Sequence, residues 1–188
     1  MRLRVTFALL LLTLVTIGCH GRRAKSAGES DQVVVLPSRG PAASFHLEVA
    51  SSEIPRGGEP EIEFILKNTS SQSLWVNSRM VLNDEAQPPE FRDVWLRVQG
   101  PDGLGVPYDC ASNVGFAKRE DYALLKPGDV VRRDLRLRCF TFATSGIYVL
   151  KAWYRDGGNA PPAPAGAVYF GQEIDTEKVT VRVVPQMQ

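Results

Sequence analysis

Histidine, paired carboxylates and cysteine are the residues through which this chain of 188 could do chemistry, and each is sparse. Only His20 and His46 are present. No His-Glu-x-x-His pair, Gly-x-Ser-x-Gly elbow or phosphate-cradling glycine loop occurs, so metal-assisted hydrolysis, a nucleophilic triad and nucleotide chemistry have no local signature. Carboxylates stand close together at Glu61 and Glu63 and at Asp84 and Glu85. The first two lie two apart on a strand, where solvated acids are expected, and a glycosidase would need two carboxylates held across a cleft. Asp156-Gly-Gly-Asn159 offers oxygen ligands, but its spacing matches no dedicated calcium loop and reads as a flexible turn. A zinc site is not expected either, with two histidines and cysteines far apart. No cofactor and no catalytic residue is assigned, and the chain reads as a non-enzyme.

The three cysteines divide as one plus two. Cys19 ends an N-terminal segment with a basic start, Met1-Arg-Leu-Arg4, and an apolar run from Val5 to Ile17. That run is too short to span a bilayer, which takes about 20 residues, and belongs to a cleaved signal. Its end, Thr16-Ile-Gly-Cys19, resembles the lipobox of bacterial lipoproteins, with Gly18 in the small position before the cut and Thr16 a departure from the usual leucine. The resemblance implies a signal peptide over 1–18 and acylation of Cys19. The protein would then be held in the bacterial cell envelope, at the periplasmic face of the outer membrane or at the cell surface. An ordinary secretory signal is the alternative. In an oxidising compartment Cys110 and Cys139 are expected to form a disulfide, two unpaired buried thiols being the other possibility.

Charge bears on partners. The precursor carries 22 basic and 21 acidic residues, and loss of Arg2 and Arg4 with the signal leaves the mature chain near neutrality. A nucleic-acid partner is not expected, since phosphate binding needs a concentrated basic face. Residues 19–43, rich in Gly, Ser, Arg, Lys and Pro, read as a flexible tether with a reach of roughly 25–30 Å, interrupted by a possible short edge strand at Val33–Leu36.

The elements that position the remaining residues are strands. Period-two alternation marks about seven, at 45–49, 61–67, 74–76, 94–98, 130–139, 148–154 and 179–183, separated by Gly, Pro and Asn turns. No helical period interrupts them. Residues 44–188 are therefore expected to fold as an all-β, immunoglobulin-like antiparallel sandwich. Gly146 and Tyr148 read as its corner, the ring entering the core and the hydroxyl bonding back to the corner backbone. Three insertions lengthen the domain: Asn83–Arg92, Gly105–Lys126 and 156–166, the last too rich in Pro, Ala and Gly to pack.

The segment from Gly115 to Asp129, followed by Gly146-Ile-Tyr148, resembles a module found beside deuterolysin-type metallopeptidase domains. Glu63 to Thr69 with Leu74-Trp-Val76 is similar to that module's early strands. The resemblance covers roughly 45–155 and implies an immunoglobulin-like fold. No metal-binding helix accompanies it, so no peptidase activity is implied. Small bacterial sandwich domains that inhibit proteinases look similar at this level.

Alternation places Trp75, Trp95 and Trp153 away from the core. In the usual topology the strands of Trp75 and Trp153 are neighbours, with Lys151 and Arg155 flanking Trp153. This outer face is expected to recognise a protein or glycan partner, since aromatic and Arg residues dominate binding hot spots. A one-residue bulge would turn any of the rings inward. Arg132, Arg136 and Arg138 form a second row, suited to anionic headgroups, an acidic partner or solvent. The expected function is a membrane-anchored, non-catalytic binding or assembly module. A proteinase inhibitor using loop 156–166 is the alternative, and an unrecognised hydrolase the third.

Overall fold

Alternation of apolar and polar side chains drives the chain into strands whose apolar faces close on one another. The computed structural model describes residues 42–111, 115–156 and 160–186. Cys19, the signal peptide, Val33–Leu36, nearly all of the tether and positions 157–159 of the turn that begins at Asp156 lie outside the described residues. The strands are β1 (Ala43–Val49), β2 (Glu53–Pro55), β3 (Glu61–Asn68), β4 (Ser73–Asn77), β5 (Leu82–Asn83), β6 (Val94–Gln99) and β7 (Gly105–Val106). They continue with β8 (Tyr122–Leu125), β9 (Val130–Arg136), β10 (Gly146–Tyr154), β11 (Ala167–Tyr169), β12 (Ile174–Asp175) and β13 (Val179–Val184). The seven expected strands are β1, β3, β4, β6, β9, β10 and β13, and six further short ones accompany them. Among the described residues no helix is long and apolar enough to cross a membrane.

One sheet runs β1-β3-β9 and is antiparallel throughout. A second runs β2-β13-β10-β6-β5, with β12 added to β10 and β7 to β6. A small third sheet runs β11-β4-β8. Ile62, Phe64 and Leu66 of β3 meet Tyr148, Leu150, Ala152 and Tyr154 of β10 in a single buried core. The Phe45 ring lies 5.6 Å from Phe64 within its own sheet and 5.7 Å from Tyr154 of the facing one. Each such side chain contributes roughly 1.5–3 kcal/mol by leaving water. The architecture is an immunoglobulin-like β-sandwich.

The Tyr148 hydroxyl donates to the Thr144 carbonyl at 3.0 Å and accepts from the Thr144 N–H at 3.1 Å. Gly146 has φ +143°, and a Cβ there would stand 2.7 Å from the Pro101 ring. Glycine is therefore required both by conformation and by space. Cys110 and Cys139 form a disulfide with Cα atoms 5.1 Å apart, tying the long 105–126 insertion to the chain just beyond β9.

Two expectations about the loops are corrected. The 105–126 insertion contains β8, which pairs with β4 and buries Tyr122 and Leu125; at four residues its alternation is too short to be legible. The 156–166 segment does not merely swing free. Asp156 is buried and accepts a 2.9 Å hydrogen bond from Tyr122, and the Pro162 carbonyl accepts from Arg119 at 3.3 Å. The strand expected over 130–139 ends at Arg136, with Cys139 packed against the core after it.

Candidate partner-binding face

The register of β6 against β10 fixes which side chains share the outer face of the second sheet. Leu96, Val98, Leu150 and Ala152 point into the core, so their alternates point out. Trp95 opposes Trp153 and Arg97 opposes Lys151. Gln99 opposes Val149 one row further along. The two indoles stack with centroids 5.9 Å apart and planes at 4°. Arg92 lies 4.8 Å over the Trp95 ring, while Arg97 and Lys151 lie 5.2 and 5.3 Å from the Trp153 centroid. Cations this close to an indole are drawn to its negative face. Arg97 pairs with Glu85 at one end of this row, and Lys151 with Asp175 at 2.5 Å at the other.

The expected site is thereby divided. Trp153 and Lys151 belong to this face, but the partner of Trp153 is Trp95. Trp75 sits on β4 in the third sheet, because β6 and not β4 is the neighbour of β10. Trp75 does point away from the core but is only 7% exposed. Tyr122 stacks on it at 5.6 Å and Arg119 covers it at 5.8 Å. Its indole Nε1 is buried and has no hydrogen-bond partner among the described residues. Trp75 is therefore not available as a contact residue in this arrangement. Arg155, at the end of β10, is half-exposed and faces Glu173 at 3.9 Å, with its backbone N–H donated to the Asp93 carbonyl. On the opposite sheet Arg132, Arg136 and Arg138 each meet a carboxylate, Glu63, Glu61 and Glu59. That row is a solvated, charge-compensated edge. His46 is exposed on β1 and contacts Ser44.

A buried polar cluster that the alternation gave no sign of braces one end of the face. Asp93, 2% exposed, immediately precedes β6. Its carboxylate accepts from Asn77 Nδ2 (2.9 Å), Arg79 Nε (2.7 Å), Arg79 Nη2 (2.9 Å) and the Val81 N–H (3.2 Å). Its own N–H donates to Asn83 Oδ1 at 2.9 Å. The hydrogen bond to Asp93, partly offset by burial, raises the Arg79 guanidinium above its ordinary value. Burial raises the Tyr122 and Tyr154 hydroxyls, and Asp156 raises both further. Both phenols remain protonated donors, to Asp156 and to the Asn77 carbonyl respectively. These residues lock the turn joining the third sheet to β6. Among the described residues no group of three His, Cys, Asp or Glu could hold a metal ion.

A β-sandwich with a tyrosine corner, one disulfide and an aromatic–cationic outer sheet face is the class of molecule this geometry defines. No protein-family model matches the chain, and no curated protein does. Among solved structures it is similar to the CARDB domain of a Pyrococcus furiosus protein in complex with di-metal ions, at 13% identity and TM-score 0.39, covering 78% of this chain and 96% of that one. It is also similar to AvmM, which catalyses macrocyclization in alchivemycin A biosynthesis, at 14% identity and TM-score 0.37, covering 79% and 92%. A β-glucosidase from Erythrobacter marinus matches at 14% identity and TM-score 0.34, covering 76% of this chain and 15% of that one. Likenesses at this level transfer no activity, metal or ligand.

Proposed function

We propose that the protein is an envelope lipoprotein, anchored through acylated Cys19, whose immunoglobulin-like sandwich is a non-catalytic binding or assembly module of the kind seen beside deuterolysin-type peptidases. The observation that carries the binding role is the half-buried Trp153, held by its stack on the buried Trp95 and flanked by Arg97 and Lys151 on the outer face of β6 and β10. Aromatic and Arg side chains of this kind dominate binding energy at interfaces because they bury much area at small entropic cost. Lipid attachment would confine the domain to a membrane surface, each buried CH₂ adding about 0.8 kcal/mol to anchoring.

The test is in-cell cross-linking and recovery of the tagged full-length protein beside an Arg97→Glu/Lys151→Glu variant. Both positions are on the surface, and circular dichroism checks the fold. A partner held by wild type and lost by the variant is the expected result. A partner held equally by both would place the contact elsewhere and end this assignment of the face. Metabolic palmitate labelling tests the anchor: wild type should incorporate it and Cys19→Ser should not.

A further inference from the structure

Arg97 and Lys151 are direct register partners on adjacent strands, a like-charge pairing that is unfavourable in a sheet and is offset here by Glu85 and Asp175. Lys178, the residue before β13, extends the row into the same groove and has no ion-pair partner among the described residues. The two sheets differ in where the carboxylates stand: Glu61 and Glu63 line the groove on the first sheet together with Arg136 and Arg138. The groove has a volume of 490 Å³, and no acidic side chain is among its lining residues. Glu85 and Asp175, which pair with Arg97 and Lys151, do not line it. Trp153, Gln99, Gly103 and Gly105 also line it. A side chain on Gly105 would meet nothing within 4 Å, so the backbone there is open to close approach. Positions that depart from local stability rules are expected at functional sites.

Building on the reading of this face as the binding site, we infer that the groove takes an anionic saccharide, a sugar ring bearing carboxylate or phosphate groups. Lys178 supplies charge-assisted hydrogen bonds to the anion, and Arg97 and Lys151 add the donors that Glu85 and Asp175 do not take. The Gln99 amide suits sugar hydroxyls, and the exposed part of the Trp153 indole suits the apolar face of the ring. An acidic peptide fits less well. β10 is flanked by β6 and β13, so the centre of this face has no free edge to which an extended peptide could add.

The experiment is titration of the full-length protein in detergent, followed by tryptophan fluorescence and calorimetry. The titrants are polygalacturonate, a phosphorylated mannan, neutral dextran and poly-glutamate. Saturable binding of one or both anionic polysaccharides, weakened by salt and absent for dextran, is expected; which of the two binds names the anion. Lys178→Gln should weaken it about ten-fold and Arg97→Gln/Lys151→Gln by about ten-fold or more, each lost charge-assisted bond having that order of effect, while Arg138→Gln leaves it unchanged. Equal affinity for poly-glutamate or dextran, no binding of either anionic polysaccharide, or undiminished binding by the glutamine variants would overturn the assignment. If a cross-linked partner is still lost on charge reversal while the polysaccharides fail, the binding face stands and the saccharide falls.

Discussion

Replacing Asp93 with alanine should be among the most destabilising single changes available in this domain. The carboxylate is buried and satisfies four donors, two of them on Arg79, whose own side chain is only 17% exposed. Truncation leaves the Arg79 guanidinium with only Asp121, 4.0 Å away, as counter-charge and strands the Asn77 amide and the Val81 N–H. Breaking a buried pair by removing one partner costs about 3–5 kcal/mol, a large share of the roughly 5–15 kcal/mol that holds a domain together. Arg79→Met alone should also be costly, because it leaves the more deeply buried Asp93 carboxylate with only the neutral donors Asn77 and Val81. The Asp93→Leu/Arg79→Met double variant should recover much of the loss, since no uncompensated charge remains. Urea unfolding followed by circular dichroism measures all three. A cost below about 1 kcal/mol for Asp93→Ala, or simple additivity in the double variant, would refute the idea that the pair braces the start of β6.

Further expectations concern the disulfide, the corner and alkaline pH. Cys110→Ser/Cys139→Ser should lose roughly 3.6 kcal/mol by the chain-entropy model for a loop closed across 29 residues, read as a shift in urea midpoint against the oxidised protein. Tyr148→Phe removes one hydrogen bond and orphans the Thr144 N–H, costing about 1–3 kcal/mol in the same assay. Tyr122 and Tyr154 ionise less readily folded than unfolded. Their contribution to stability is full below the unfolded tyrosine pKa of about 10 and is lost as pH rises above it, because the unfolded chain then releases protons the folded one retains. Phenolate absorbance should therefore show part of the titration of the five tyrosines arriving only with unfolding, whereas five independent titrations near that pKa would contradict the burial argument.

Six of the seven expected strands were legible because they alternate over five residues or more, 74–76 being the short exception, and Tyr148 was legible because a corner needs its glycine two positions earlier. The short strands were not. β8 and β11 owe their conformation to pairing with β4 on either side, a tertiary effect that four and three residues cannot announce. The outward direction of Trp75, Trp95 and Trp153 was readable, but their exposure was not. Trp75 is covered by Tyr122 and Arg119, from segments distant in sequence. Trp95 is 6% exposed, with Trp153 stacked on it and Arg92 over its ring. The pairing of Trp153 with Trp95 followed from strand order, which alternation does not encode. Asp93 was invisible for a different reason: nothing local distinguishes a carboxylate at a strand entrance that faces solvent from one that faces Arg79. The compensated arginine row, by contrast, had a signal in the matching period-two series Glu59, Glu61 and Glu63.

The central claim is that the outer face of β6 and β10 meets a partner in the envelope. Photo-cross-linking residues placed singly at positions 99, 151 and 178, and as controls at 48, 134 and 138 on the opposite sheet, test it most directly in living cells. Adducts are expected from the first set and none from the second. Adducts confined to the second set, or none from either, would contradict it.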